Sequence, residues 1–456
     1  MRRRITVMVA VLTLAVGLPG VLAAAESPPA AEAGTAGGVP GQVFDPWPWQ
    51  PPVTQSPAGP AAMLLSGSGT GLGTLDFFVT YGSKIAVVGR DGSYRMLRYP
   101  DYYLQAGQDV RLSPDGRYVA GPYAVEKLAG AVQAEGRLSV VDLVTGRARV
   151  IDGLPARLPV AWRPDSAALL LWQRPEFVSP GSPPFDGGEA SYGYAGGSLW
   201  LLDLATGGSR KILDLGTAVF DPTTSVAFAP DGRHLAVQLD RTVVLVDTAG
   251  GGSRTLATLG ERQRLAGAGA FTADGTALAV LDLDGCAVAC TNGARNQRRW
   301  GLVTLGVTSG RVRPDGGFDR VPGAAVRMVG WQRDGTAVVV AYRVEDDARY
   351  DREPTREAPV AYREVEAADL LALRPGGGTT VLVRPRGVAM WDIDVASDLV
   401  VDGRFQAAAY RPAVFPAAYW AAVPAAGVVL SPLGLLAVLL VRRRRGRAEF
   451  AAERDG

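Results

Sequence analysis

Residues 226–237 read VAFAPDGRHLAV, two short apolar runs hinged on Pro230-Asp231-Gly232. Pro presets φ, Asp bonds its own backbone, and Gly accepts the positive φ that closes a tight turn, so the stretch predicts a β-hairpin. The pattern recurs without gaps at 110–121 (VRLSPDGRYVAG), 160–171 (VAWRPDSAALLL), 269–280 (GAFTADGTALAV) and 329–340 (VGWQRDGTAVVV). Asp keeps one place in all five copies (Asp115, Asp165, Asp231, Asp274, Asp334); Gly follows it in four and Pro precedes it in three.

A second β-rich pair around a Gly turn follows each hairpin: 138–151, 199–213, 242–256, 301–312 and 370–383. Each repeat therefore supplies four antiparallel strands. The units recur every 43 (Asp231 to Asp274) to 66 residues (Asp165 to Asp231), the spacing of β-propeller blades. Two packed sheets built from the same hairpins are the alternative, and the fixed four-strand order repeated five times favours the ring. A sixth blade can be assembled from the ends. Residues 84–98 (KIAVVGRDGSYRMLR) read as a second pair without a hairpin, and 388–401 (VAMWDIDVASDLVV) as a degenerate hairpin without a second pair. Joining them would remove exposed sheet edges. The expectation is an all-β, six-bladed propeller over 75–405, or seven blades if 75–81 adds strands.

The copies LSPDGRYVA and FAPDGRHLAV, followed by VVDLVTGRARV and LLDLATGGSRKIL, resemble the TolB-type, WD-repeat-like β-propeller family of bacteria. The resemblance implies the propeller fold. Related propellers serve as periplasmic protein-interaction modules, sensor ectodomains and non-catalytic domains of peptidases.

The rest of the chain sets the context. Its 456 residues are 47% hydrophobic and 20% charged, with a net charge of +2, one His and two Cys. That excludes a disordered chain and a disulfide-built scaffold, and gives no reason to expect a nucleic-acid partner. Arg2-Arg3-Arg4, an apolar run at 5–18 and Ala23-Ala24-Ala25 have the layout of a signal peptide over 1–25, with an uncleaved anchor as the alternative. Residues 26–74, rich in Pro, Gly and Ala, read as an extracytoplasmic linker. Residues 417–441 carry no charge and precede Arg442-Arg443-Arg444-Arg445. As a helix this run would reach roughly 37 Å, enough to cross a bilayer. It predicts one transmembrane helix after a juxtamembrane linker (406–416) and before a basic cytoplasmic tail (442–456). This layout, with the bulk outside the cytoplasm, departs from a soluble TolB-type protein, and the tail is too short for an output domain.

In a four-stranded blade the one-to-two and three-to-four turns share one face, while the two-to-three loops and blade crossovers share the other. Here the long connections (122–137, 173–198, 282–300, 343–369) all fall on the second face, which predicts a recognition surface; long loops are also tolerated wherever they do no harm. Phe177, Phe185, Asp186, Tyr192 and Tyr194 stand among Gly, Ser and Pro in one of these loops, and Tyr102 and Tyr103 in a crossover, a composition suited to binding. Residues 343–369, mixing acids and arginines, read as a solvated loop. Cys286 and Cys290 predict a local disulfide, because two thiolates lack the partners of a metal site. Asp282 and Asp284 before Gly285 lack the remaining ligands of a calcium loop. His234 sits where the other hairpins have Tyr118, Ala168, Ala277 and Ala337, a structural position. No nucleophile elbow, metalloprotease motif or phosphate loop is present. The sequence therefore predicts a membrane-anchored binding scaffold without enzymatic activity, cofactor or metal, its partner an envelope protein or glycan. The alternative is a cell-envelope hydrolase or lyase using Asp and Glu groups at the propeller face.

Overall fold

The five Asp-centred turns fold alike. Each carboxylate Oδ1 accepts the amide two residues on: Arg117 on Asp115 (3.0 Å), Ala167 on Asp165 (3.0 Å), Arg233 on Asp231 (2.8 Å), Thr276 on Asp274 (3.0 Å) and Thr336 on Asp334 (2.9 Å). The residue after each Asp is left-handed, with φ of +72° at Gly116, +66° at Gly232, +69° at Gly275 and +84° at Gly335. Ser166, where the Gly is missing, takes +59° as well, so the turn is imposed rather than lost.

The computed structural model describes residues 37–46, 50–68, 85–97, 105–123, 137–151, 157–173, 194–250, 252–287, 290–313, 317–345, 365–386, 388–407 and 439. The chain divides into Met1–Ala30 with Ala413–Gly456, and Ala31–Pro412, the unit that holds the propeller. Among the described residues the hairpins and their second pairs form five blades of antiparallel meander. Blade 1 is Arg111–Leu112, Tyr118–Tyr123, Arg137–Asp142 and Ala148–Ile151; blade 2 is Arg157–Trp162, Ala168–Gln173, Ser198–Asp203 and Ser209–Asp214. Blade 3 is Val226–Phe228, His234–Leu239, Thr242–Asp247 and Ser253–Thr258. Blade 4 is Gln263–Leu265, Ala277–Asp284, Arg299–Gly306 and Val312–Arg313, with Val321–Pro322 as an extra strand. Blade 5 is Ala325–Trp331, Ala337–Val344, Val365–Leu373 and Thr379–Val381. Second strands are continuous apolar runs because both of their faces meet neighbouring blades, whereas fourth strands such as Thr379–Val381 are exposed. Between blades 2 and 3, fully buried Trp172 and Phe220 meet with ring centroids 5.5 Å apart, and each such side chain contributes about 2–3 kcal/mol by burial.

Blade 6 closes the ring differently from the sequence expectation. Its order is Ala389–Val395, Ala61–Ser68, Ile85–Gly89, Tyr94–Leu97, so one strand comes from the far end and three from the near end. The degenerate hairpin over 388–401 is not formed. Asp398 occupies the turn position, but Leu399 follows it instead of Gly, and the chain coils into the helix Ser397–Val401. Asp398 pairs instead with Arg90 at 2.7 Å. The second strand, AAMLLSGS, lies inside the segment read as a linker. That segment docks further: Gln42–Phe44 runs parallel to Arg384–Arg386, Val39 and Val43 are fully buried, and the Phe44 amide donates to the Tyr94 hydroxyl (3.0 Å). Isolated Val residues among Gly and Pro bury apolar surface that average composition conceals. The segments expected as signal peptide (1–25), transmembrane helix (417–441, save Leu439), cytoplasmic tail (442–456) and seventh-blade strands (75–81) lie outside the described residues, among which no helix is long and apolar enough to cross a membrane.

Candidate functional site: the central funnel

The residue three before each turn Asp borders the axis. These are Leu112, Trp162, Phe228 and Trp331 on the innermost strands of their blades, Phe271, which follows the short first strand of blade 4 and bridges Leu278, and Val395 three before Asp398. All six border a central funnel of about 350 Å³. Residues just before these Asp, Pro114, Pro164, Pro230 and Ala273 in the turns and Ser397 at the start of the helix, also border the funnel, nearer the turn face. The two indoles are fixed by the preceding blade: Trp162 Nε1 donates to the Arg111 carbonyl (3.1 Å) and Trp331 Nε1 to that of Ala270 (3.2 Å). Their polar edges are satisfied, and each ring also packs on an aromatic neighbour, Trp162 stacked with Tyr118 (centroids 6.2 Å) and Trp331 tilted against Phe318 (5.9 Å).

Charged groups form the inner end of the funnel, where Arg111, Arg327 and Asp394 border it. Arg327, 2% exposed, donates Nε to the Tyr342 hydroxyl (3.0 Å) and Nη2 to Asp392 Oδ1 (3.1 Å) and the Ile393 carbonyl (2.6 Å). Asp392 Oδ1 also accepts the Tyr342 hydroxyl (2.6 Å) and the Ile393 amide (2.7 Å), and its Oδ2 accepts Gln108 Nε2 (2.5 Å). Burial opposes the charge on Arg327, but Tyr342, Asp392 and Asp394 outweigh it and hold its pKa above the usual arginine value. Asp394 accepts the amides of Leu112 (2.8 Å) and Val395 (3.1 Å). Burial pushes its carboxyl upward against the pull of Arg327 and Arg111. Arg111 is depressed by burial and by repulsion from Arg327, and as an arginine it keeps its charge. Removing one partner of the Arg327–Asp392 pair leaves a buried charge uncompensated, at a cost of roughly 3–5 kcal/mol.

A larger groove, about 780 Å³, runs along the outer side of blade 5 between Gln42, Arg374, Arg384 and Phe405. It is bordered by the docked arm, the turn 332–336, the exposed strand Thr379–Val381 and the segment 403–407, and holds no buried charge, so the smaller funnel is the more specific site.

Of the residues singled out in the sequence, Tyr102, Tyr103, Phe177, Phe185, Asp186 and Tyr192 lie outside the described residues. The backbone of Tyr194–Ala195 pairs with Val219–Phe220, tying the end of the 173–198 loop to the start of blade 3. Cys286 and Cys290 are joined by a disulfide on the loop face of blade 4. Arg298 fastens that loop by donating to the carbonyls of Cys286 (2.7 Å) and Ala324 (2.9 Å). His234 opens the second strand of blade 3 and bonds Asp231 through Nδ1 at 2.7 Å, a turn contact away from the funnel. No group of His, Cys, Asp and Glu side chains suited to a metal occurs among the described residues. The funnel residues were passed over in the sequence reading. Two signals marked them: the large apolar residue fixed three before each Asp, and charges interrupting apolar inner strands at Arg111, Arg327, Asp392 and Asp394.

No protein-family model and no curated protein matches the chain. Among solved structures it is similar to TolB from Acinetobacter baumannii, at 13% identity over 67% of this chain and 66% of that one, with a TM-score of 0.34. A putative TolB from Agrobacterium tumefaciens is similar at 13% identity over 74% and 98%, TM-score 0.38. So is an oligogalacturonate lyase in complex with manganese, at 13% over 57% and 58%, TM-score 0.30. The likeness is one of fold alone.

Proposed function

We propose that the chain is a membrane-anchored, extracytoplasmic binding scaffold: a rigid propeller that presents two faces, with 1–25 directing export and 417–441 anchoring it. The observation that carries the reading is the funnel, an aromatic-walled concavity lined by the inner segments of six blades. The long-loop face, with Tyr102, Tyr103, Phe177, Phe185, Asp186, Tyr192 and Tyr194, is the surface for an envelope protein or glycan. Carboxylate-pair hydrolysis or elimination is less well supported. Asp394 is the one carboxylate bordering the funnel among the described residues, and both of its oxygens already accept backbone amides.

The test is crosslinked capture from intact cells with the tagged full-length protein, beside a variant lacking 174–193 and the variant Ala273→Trp, which covers the funnel mouth. A partner recovered reproducibly and lost from the first variant belongs to the loop face; one lost from the second belongs to the funnel. No reproducible partner in any sample, together with turnover of an envelope glycan or peptide, would overturn the scaffold reading.

A further inference from the structure

We infer that the funnel binds a small-molecule carboxylate with an apolar or aromatic body, the carboxylate docking on Arg111. This rests on the funnel being a binding seat. Arg111 is 3% exposed, borders the funnel, and reaches from blade 1 to blade 3 to donate Nη2 to the Pro222 carbonyl at 3.1 Å. Its Nε has no hydrogen-bond partner among the described residues. Three acids lie near it: Asp392 is bonded to Arg327, Tyr342 and Gln108, Asp394 accepts the amides of Leu112 and Val395, and Asp109 accepts the Gln105 amide (3.0 Å).

A buried guanidinium with an unused N–H is costly, and its planar fork suits a bidentate oxyanion. Asp394 opposes added negative charge, but it already faces the positive charges of Arg327 and Arg111. The wall decides the rest of the ligand. Trp162, Phe228, Phe271 and Trp331 border it with apolar rings, which favour a hydrocarbon body over a bare inorganic anion. The volume, about 350 Å³, is at the small end for ligand pockets and fits a small molecule.

Trp162 and Trp331 border the funnel, so ligand entry should be read in tryptophan fluorescence of the full-length protein. The probes are 4-phenylbutyrate and octanoate, their neutral amides, and inorganic phosphate. Saturable binding of the carboxylates is expected, with the amides roughly ten- to hundredfold weaker for want of the charge-assisted bonds. Arg111→Gln should abolish that preference. Ala273→Trp, which leaves Arg111 in place, should weaken every probe, and thermal midpoints report whether each variant is folded. Equal binding of acid and amide, phosphate binding as tightly as the carboxylates, or no saturable response to any probe would overturn the inference. A partner still captured by the full-length protein would then leave the scaffold reading standing while this one fell.

Discussion

Gly116→Ala and Gly275→Ala change equivalent turn residues in blades 1 and 4, and their difference measures ring closure. Both glycines are left-handed, at +72° and +69°. An alanine at either costs about 1–2 kcal/mol from that conformation alone. At 275 the added Cβ meets Pro230 Cδ at 3.4 Å, an ordinary contact. At 116 it runs into the Ala61 carbonyl of blade 6, and Ala61 donates its amide to the Gly116 carbonyl at 2.7 Å. The blades must separate, and the buried Ala61 amide loses its partner for about 1–3 kcal/mol more. Gly116→Ala should therefore cost roughly 2–5 kcal/mol against about 1–2 for Gly275→Ala. Ser166→Gly supplies the opposite sign: relief of a serine at +59°, partly cancelled by loss of the weak bond from the Asp115 amide to Ser166 Oγ (3.3 Å). A net change between zero and about +1 kcal/mol is expected. Urea midpoints of the full-length protein, with limited proteolysis within 61–68, measure all three. Equal losses for the two alanine variants, with no added cleavage in 61–68, would refute the closure argument.

Acid should weaken the propeller through its turns. Asp165 is held below the usual carboxylate range by its bond to Arg163, Asp274 by Thr272, and Asp334 by the Thr336 amide. Carboxyls depressed in the fold contribute stability above their unfolded value, near pH 4, and lose it as pH falls through the folded values. Urea midpoints measured from about pH 6 down to about pH 2.5 should fall, and Asp274→Asn should flatten the decline. Replacing Cys286 and Cys290 together by Ser removes a cross-link across a sequence separation of 4. The cost should be at most about 2 kcal/mol. It should appear as faster amide exchange over 285–298, because Arg298 still ties the loop to Ala324; a large drop in the midpoint of the whole propeller would contradict that local reading.

How much of the molecule was legible follows from how locally each feature is determined. The hairpins were, because an Asp such as Asp231 makes its defining bond two residues away, and Ser166 shows that the surrounding residues carry the turn even without Gly. The closing blade was half legible. Ala389–Val395 announces a strand, but its partner Ala61–Ser68 is hidden in a Pro- and Gly-rich window whose average conceals one apolar run. Asp398 has the right register and the wrong successor. At the inner end of the funnel the charges stood out in apolar strands but their pairing was not legible, since Arg327 and Asp392 are 65 residues apart and meet only through the ring. The aromatic wall was visible as a column in the aligned repeats, but a column of large apolar residues has no direction until the strands are arranged about an axis.

The split origin of blade 6 sets a timetable. Ser66 finds the Asp392 carbonyl 326 residues later in the chain, so a chain emerging N-terminus first at about 5–20 residues per second waits roughly 16–65 s for its latch. Until then the edge of Ala61–Ser68 is open and adhesive, able to recruit the same strand of another copy. Shortening that interval, by moving Ala389–Val395 ahead of Ala61–Ser68 in a circular permutant, would let the blade complete itself first.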